Sequence, residues 1–292
     1  MDQQHLSPPD EFAVPAPESV EAEAPAAEGH RHVQIQVPAR HNPTLGAILE
    51  RVNADDDLYA IWRCANVNAV DRLGMSDHGP VHVQIVANIG LRLFRLLVSR
   101  QVVPSAVQYH QLTVEDAEVI VVLACLLHDV GMSVHRDDHE RFSVFIAQDK
   151  LRELLGDLYP TATRRVMISE ILHAIIAHRA DGRPLTLEAG IVRVADALDM
   201  AKGRSRIPFE AGKVNIHSVS AAAIDRVLIG PGESRAIRIA IHMNNSAGIF
   251  QLDGLLREKL HGSGLEPYVE VVATTDGETE KRLITEVRLN RS

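Results

Sequence analysis

Val119-Ile120-Val121-Val122-Leu123-Ala124-Cys125-Leu126-Leu127-His128-Asp129 is the most apolar run in the chain, and it ends in an imidazole and a carboxylate. Thr113 and Asp116 stand before it at capping-box spacing, so a helix is predicted over Val114 to His128. A helix that is apolar nearly all round belongs at the centre of a core. Burying a His-Asp pair at its end is costly unless the two groups are paired or hold a cation. The fold is therefore read outward from this helix, and the chemistry from its end.

Helical patterns surround it on both sides. Thr44 to Val52 and Leu58 to Val70 carry apolar residues at helical spacing, with Asp55 to Asp57 as caps for the second. Pro80 opens a helix that runs to about Ser99, with Val86, Ile89, Leu93 and Leu97 on its buried stripe. Asp138 to Leu155, Ala162 to His178 and Thr186 to Lys202 complete the set. His32 to Val37 alternates and predicts a short strand. Past Gly212 the pattern changes to strands at Val214–His217, Arg226–Ile229, Arg235–Met243, Tyr268–Ala273 and Arg282–Leu289, with an amphipathic helix over Gly248 to Leu260. The fold class predicted is mainly α: a helical core over residues 31–210 with an appended C-terminal α+β domain over 211–292.

Residues 1–30 differ from the rest. They contain no Lys or Arg, five prolines and seven acidic residues, and so carry most of the formal charge of −9. Such a segment has too little apolar surface to offset its ordering entropy, and it reads as a disordered acidic arm. The acidic balance and only 4% aromatic residues argue against strong nucleic-acid binding or an anionic membrane surface. No uninterrupted apolar run has the length of a membrane span, and the first residues lack a secretory pattern, so a cytoplasmic setting is expected. Cys64 and Cys125 read as core thiols.

Eight of the fifteen histidines lie between residues 78 and 178. His82 stands near the start of one predicted helix, His128-Asp129 ends another, and Asp196 sits inside the apolar run Ile191 to Leu198 of a third. Three helices can thus bring nitrogen and oxygen donors to one cation.

These residues resemble the HD-domain metal-dependent phosphohydrolases. The family pattern is a His, then a His-Asp pair, then a distant Asp. It is matched by His82 in His82-Val83-Gln84-Ile85-Val86-Ala87, by His128-Asp129 in Leu126-Leu127-His128-Asp129-Val130-Gly131, and by Asp196 in Val192-Arg193-Val194-Ala195-Asp196-Ala197. In two-metal members a His opens the helix after the His-Asp pair and another precedes the last helix; His139 and His178 fit those places. The resemblance implies two metals bridged by Asp129, one held by His82, His128 and Asp196, the other by His139, His173 and His178. His173 is five residues before His178, about 140° away on an ideal helix, so it joins the site only if the helix tightens there. Two such ions would share a hydroxide that attacks phosphorus. A donor set rich in imidazole suits Fe or Mn first, and then Ni, Co or Zn. The Gly-Tyr-Pro of the cyclic-dinucleotide branch is absent after Gly182, and Met132 replaces the Lys expected after His-Asp-x-Gly, which weighs against cyclic-di-GMP as substrate.

Phosphate needs further cations. Lys202, Arg204 and Arg206 follow the Asp196 helix, and Arg136, Arg141 and Arg179 flank proposed ligands. His78, beside Gly79-Pro80, lines the expected entrance, with Asp77 as a weak acid or base candidate. The catalytic set predicted is Asp129, Lys202, Arg206 and His78, acting as a phosphatase or phosphodiesterase on a phosphorylated small molecule or nucleotide. The alternatives are a di-iron oxygenase of the same fold, or a regulatory binding module with a structural metal. The C-terminal domain is expected to dimerise the chain or to sense a ligand.

Overall fold

The computed structural model describes residues 11–15, 33–179, 181–200, 220 and 223–275, with the backbone of 286–288. Its helices are α1 (Pro43–Asn53), α2 (Asp56–Asn66, continued by a wide turn Val67–Arg72), α3 (Pro80–Ser99), α4 (Ser105–His110), α5 (Val114–Leu127), α6 (His139–Leu155), α7 (Thr161–Ile176) and α8 (Leu187–Leu198). Side-chain caps set these boundaries, and those at Asp55 and at Thr113 with Asp116 are the ones the sequence predicts. Asn42 accepts the Leu45 amide, Asp55 the Leu58 amide and Thr186 the Ala189 amide, while Thr113 and Asp116 form a reciprocal capping box.

α5 is the central helix, buried from Ala117 to Leu127, and α3, α7 and α8 pack around it. α3 is long and apolar enough to cross a membrane by composition, but it is 78% buried inside the fold. Here it is a core helix, covered on most sides by protein.

The sheet is built from β1 (Phe12–Ala13), β2 (Ile224–Pro231), β3 (Ile237–Met243), β4 (Val269–Thr275) and β5 (Glu286–Arg288), in that spatial order. All neighbours are antiparallel except β3 and β4, which run parallel. Parallel strands need a crossover. It is supplied by α9, a helical run of three parts: Ile249–Gln251, the wide turn Leu252–Arg257 and Glu258–Leu260. Alternate residues Ile237, Ile239, Ile241 and Met243 of β3 are buried, as are Val269, Val271 and Ala273 of β4. β2 and β3 lie against α3, and α9 lies against α8. One apolar core runs through helices and sheet alike.

Three expectations change. Phe12–Ala13, inside the predicted unstructured arm, pairs with Leu228 and Ile229 as an edge strand; the apolar Phe12-Ala13-Val14 run is what the sheet recruits. Residues 33–37 form no strand. Asn53 instead bonds both the amide and the carbonyl of Ile35, and Gln84 accepts the Gln36 amide, so side-chain amides stand in for a partner strand. Cys64 is exposed, whereas Cys125 is buried as expected. The proposed boundary at 210/211, the strand at 214–217 and the turn at Asp276-Gly277 lie outside the described residues.

Gly131 decides how α6 docks. A Cβ there would lie 2.0 Å from the His139 carbonyl oxygen and 2.4 Å from the Ser143 amide nitrogen. Both are backbone atoms and neither can swing away. Gly131→Ala should therefore cost about 1–3 kcal/mol or more through overpacking. The expected readout is a lowered melting temperature together with weaker metal binding, because His139 moves with α6.

Candidate metal centre

The site forms where the ends of α5, α6, α7 and α8 meet the first turn of α3. At the end of α5 the carbonyls have no helical partner. The Trp62 indole donates to the Leu126 carbonyl at 3.0 Å, and His128 Nδ1 donates to the Cys125 carbonyl at 2.8 Å. The same local device recurs twice. His178 Nδ1 donates to the Ile175 carbonyl at 2.6 Å, past the end of α7. His139 Nδ1 faces the Arg136 carbonyl at 3.0 Å and the Glu140 carboxylate at 3.4 Å, with the Arg136 guanidinium beside it. His82, on α3, instead donates from Nδ1 to Asp199 Oδ2 at 2.6 Å. Asp77 accepts the His82 backbone amide, which gives it a capping place at the start of α3.

With Nδ1 facing an acceptor in His82, His128 and His178, each of these rings when neutral turns an unprotonated Nε2 inward, while His139 Nδ1 lies between the Arg136 carbonyl and the Arg136 guanidinium. His82 Nε2 and His128 Nε2 are 3.3 Å apart, and His139 Nε2 and His178 Nε2 are also 3.3 Å apart. The Asp129 carboxylate lies between the two pairs. Its Oδ2 is 3.5 Å from His82 and 3.3 Å from His128; its Oδ1 is 3.1 Å from His139 and 3.7 Å from His178. Asp196 Oδ1 adds to the first pair, 3.5 Å from His82 and 3.7 Å from His128. Ring nitrogens and carboxylate oxygens of His82, His128 and Asp196, and of His128, Asp129 and His178, are close enough to share one ion. Lone pairs converging on lone pairs in a buried site require cations, so the donors fit a divalent metal.

Without metal, protons must supply part of that charge. Burial alone would lower the His128 pKa, but the Asp129 charge and hydrogen bond, with those of Asp196, outweigh it and push it up to about 9. Burial opposes ionisation of Asp129, yet His128, His139 and His82 hold it well below the usual carboxylate range. Asp196 is held low against the same burial penalty, first by Lys259 and then by His128 and His82. His178 is pushed well below its usual value by burial, then by the charges of His128 and Lys259. Burial also pushes the Cys125 thiol up, which keeps it a neutral core group.

His82, His128, Asp129, His139, His178 and Asp196 therefore come together as the sequence predicts. His173 does not. Its Nε2 accepts the Leu185 amide at 3.0 Å instead; His173 is still helical on α7, whereas the chain has left the helix before it reaches His178. His78 is buried, with Nδ1 at 2.7 Å from the Ser76 carbonyl and its ring centroid 5.5 Å from that of His82. Arg179 lies 3.4 Å from Glu140, and Arg141 pairs with Asp138 at the surface. Lys202, Arg204 and Arg206 lie outside the described residues. Two site residues escape the sequence reading: Asp199, which orients His82, and Lys259, which bonds Asp196 from α9. Asp199 is three residues beyond Asp196, a spacing that keeps both on one side of a helix end and offered a signal. Lys259 offered none.

A helical bundle that gathers four imidazoles and two carboxylates in this way can hold metal ions. The HD domain model matches residues 81–201. An uncharacterized protein of Methanocaldococcus jannaschii is 42% identical over 227 residues, covering 78% of this chain and 87% of its own length. Ribonuclease Y of Desulforamulus reducens is 30% identical over 135 residues, and Ribonuclease Y of Acholeplasma laidlawii is 25% identical over 181 residues. Those alignments cover 44% and 60% of this chain but only 24% and 31% of the two ribonucleases. No solved structure matches. The chain belongs to the HD-domain family, whose members are typically metal-dependent hydrolases.

Two outcomes test the centre. Asp199→Asn keeps the shape but weakens the acceptor that orients His82; metal affinity should fall by roughly 10–100-fold, read by chelator competition. Metal must also displace the His128 proton. Below pH 9 that proton is bound in the metal-free protein, so affinity should rise with pH by about tenfold per unit and level off above about 9. Asp129 and Asp196 are already ionised at neutral pH and add no further proton release. Calorimetric titration in buffers of different ionisation enthalpy reads the released proton directly.

Proposed function

We propose that this protein hydrolyses phosphoesters of nucleotide-like small molecules, with two divalent transition-metal ions at the centre. The observation that carries the reading is the split of the Asp129 carboxylate, with one oxygen toward His82 and His128 and the other toward His139 and His178. In this reading His82, His128 and Asp196 hold one ion, His139 and His178 hold the other, and Asp129 serves both. Bound ions of this kind lower the pKa of water to make a nucleophile and neutralise charge on the phosphoryl oxygens. Imidazole and carboxylate donors favour Fe or Mn over Mg.

The chain's own groups then orient the site and exclude water. Asp199 fixes the His82 tautomer, and the Cys125, Arg136 and Ile175 carbonyls fix the others. His78, buried beside His82, is the group we assign to proton exchange with the leaving oxygen. Lys202 and Arg206, close in sequence to Asp196, are assigned to the phosphate. The likeness to proteins named Ribonuclease Y supports a phosphodiester as one substrate type. The acidic net charge supports a small nucleotide over a long nucleic acid.

Metal analysis of protein purified without chelator tests this first. A ratio of about two ions per chain is expected on the stated ligand set; about one would remove the binuclear reading. Asp129→Ala should lose metal and abolish hydrolysis of bis(p-nitrophenyl) phosphate and cyclic nucleotides. His173→Ala should keep the wild-type metal content, whereas His139→Ala should not. Turnover by the Asp129→Ala variant equal to wild type would end the hydrolase reading.

A further inference from the structure

We propose that Lys259, contributed by the C-terminal crossover helix, binds the substrate's phosphoryl group at the edge of the metal centre. This rests on the phosphohydrolase reading above and adds to it a residue outside the span matched by the HD model, which ends at 201.

Lys259 is 7% exposed, and its Nζ bonds Asp196 Oδ2. The other oxygen of that carboxylate faces His82 and His128. The ammonium therefore meets the carboxylate at Oδ2 and not at that oxygen, close enough for its charge to act on His178. Burying a lysine there costs desolvation energy that a single ion pair need not recover. Among the described residues the other lysine is Lys150, which is occupied by Asp55, Asp57 and Glu153 well outside the site.

The placement is built by backbone contacts. Arg193 stands one turn before Asp196 on α8. Its guanidinium donates to the Glu258 carbonyl at 3.0 Å and the His261 carbonyl at 3.2 Å, on either side of Lys259, and also to the Gly182 carbonyl. Gly190, one turn earlier on α8, leaves the space: a Cβ there would lie 2.1 Å from the Ser263 carbonyl oxygen. The segment 258–263 is thus clamped to the same helix that carries Asp196. A lysine whose backbone is clamped at its base and whose Nζ bonds Asp196 is held at one address, which lowers the entropy lost on binding.

An ammonium has three N–H donors. Asp196 takes one. Among the described residues no other hydrogen-bond partner of its Nζ is seen, so its further donors can meet an anionic oxygen arriving at the metal edge, where a phosphoester presents several. Once a divalent cation shares the Asp196 charge, the ammonium's pull toward a second anion increases. The same arrangement makes the C-terminal unit part of the active site, since the phosphate-binding cation comes from a strand-to-strand crossover of the sheet.

The test compares wild type, Lys259→Met and Lys259→Gln as metal-loaded full-length proteins. Metal content and melting temperature are measured first, and then binding of inorganic phosphate and of vanadate by calorimetry. Both variants should keep the wild-type metal content. Anion binding should weaken roughly ten- to hundredfold, the loss of one charge-assisted hydrogen bond. KM for an aryl phosphate should rise by a similar factor, with a smaller change in kcat. Lys259→Arg should recover part of the anion affinity. Should Lys259→Met fail to fold, Lys259→Gln carries the comparison, because its amide can still bond Asp196. Wild-type anion affinity in a folded variant would overturn the proposal. So would loss of metal from both variants, since Lys259 would then serve the metal ligands alone. A wild-type protein that binds phosphate but turns over no phosphoester would end the hydrolase reading and leave the lysine comparison intact.

Discussion

The centre of this protein depends on one electrostatic constraint: four imidazole nitrogens and two carboxylates converge with their lone pairs facing one another. At 3.1–3.7 Å between His Nε2 and carboxylate oxygens, nothing in the arrangement is stable unless positive charge enters it. Protons can serve, which is why His128 holds one so tightly and why its neighbour His178, facing that charge, resists a second. A divalent metal serves better, because it satisfies several lone pairs at once and needs no ring to surrender its Nδ1 hydrogen bond. The fold gives up stability to hold the donors in this disposition, and the helices are arranged around that requirement.

The holding is mostly local. His128, His139 and His178 each direct Nδ1 at the carbonyl three residues back, close to a helix or turn end. One short-range device thus sets three ring orientations. His82 is the exception. It sits in the first turn of α3, and its Nδ1 reaches Asp199, distant in sequence. Asp199 and Asp196 both come from the end of α8, so one helix end both supplies a ligand and orients another.

This division accounts for what the amino-acid sequence revealed. The helices were legible because their apolar residues recur at helical spacing and because caps such as Asp55 and Thr113 act within a few residues. His82, His128, Asp129 and Asp196 were legible because a polar residue set among apolar ones is tolerated only where a partner or a cation meets it, whereas His139 and His178 were reached through the likeness to the family pattern. The sequence misplaces His173 because nearness in sequence is not nearness in space: His173 stays on α7 and bonds the Leu185 amide, while His178 follows the helix end. Residues 33–37 mislead because alternation records which side chains are buried, while the bonding partner is the Asn53 amide. Asp199 and Lys259 stay hidden because their partners lie 117 and 63 residues away, beyond any local pattern.

The C-terminal sheet also has a physical reason to stay with the bundle. α3 is buried along almost its whole length, from Pro80 to Leu97, and β2 and β3 supply part of that cover. Arg92 and Arg100 of the α3 region reach the carbonyls of Ile229 and Gly232, which fixes the sheet's position along the helix. Removing the sheet would expose apolar residues of α3 that it now covers. The helix that would be uncovered is the one that carries His82 at its first turn. On the opposite side α9 closes on α8 through Arg193 and Gly190. The C-terminal unit therefore touches the helices of both His82 and Asp196, and the metal centre inherits its rigidity from a core that the bundle alone does not complete.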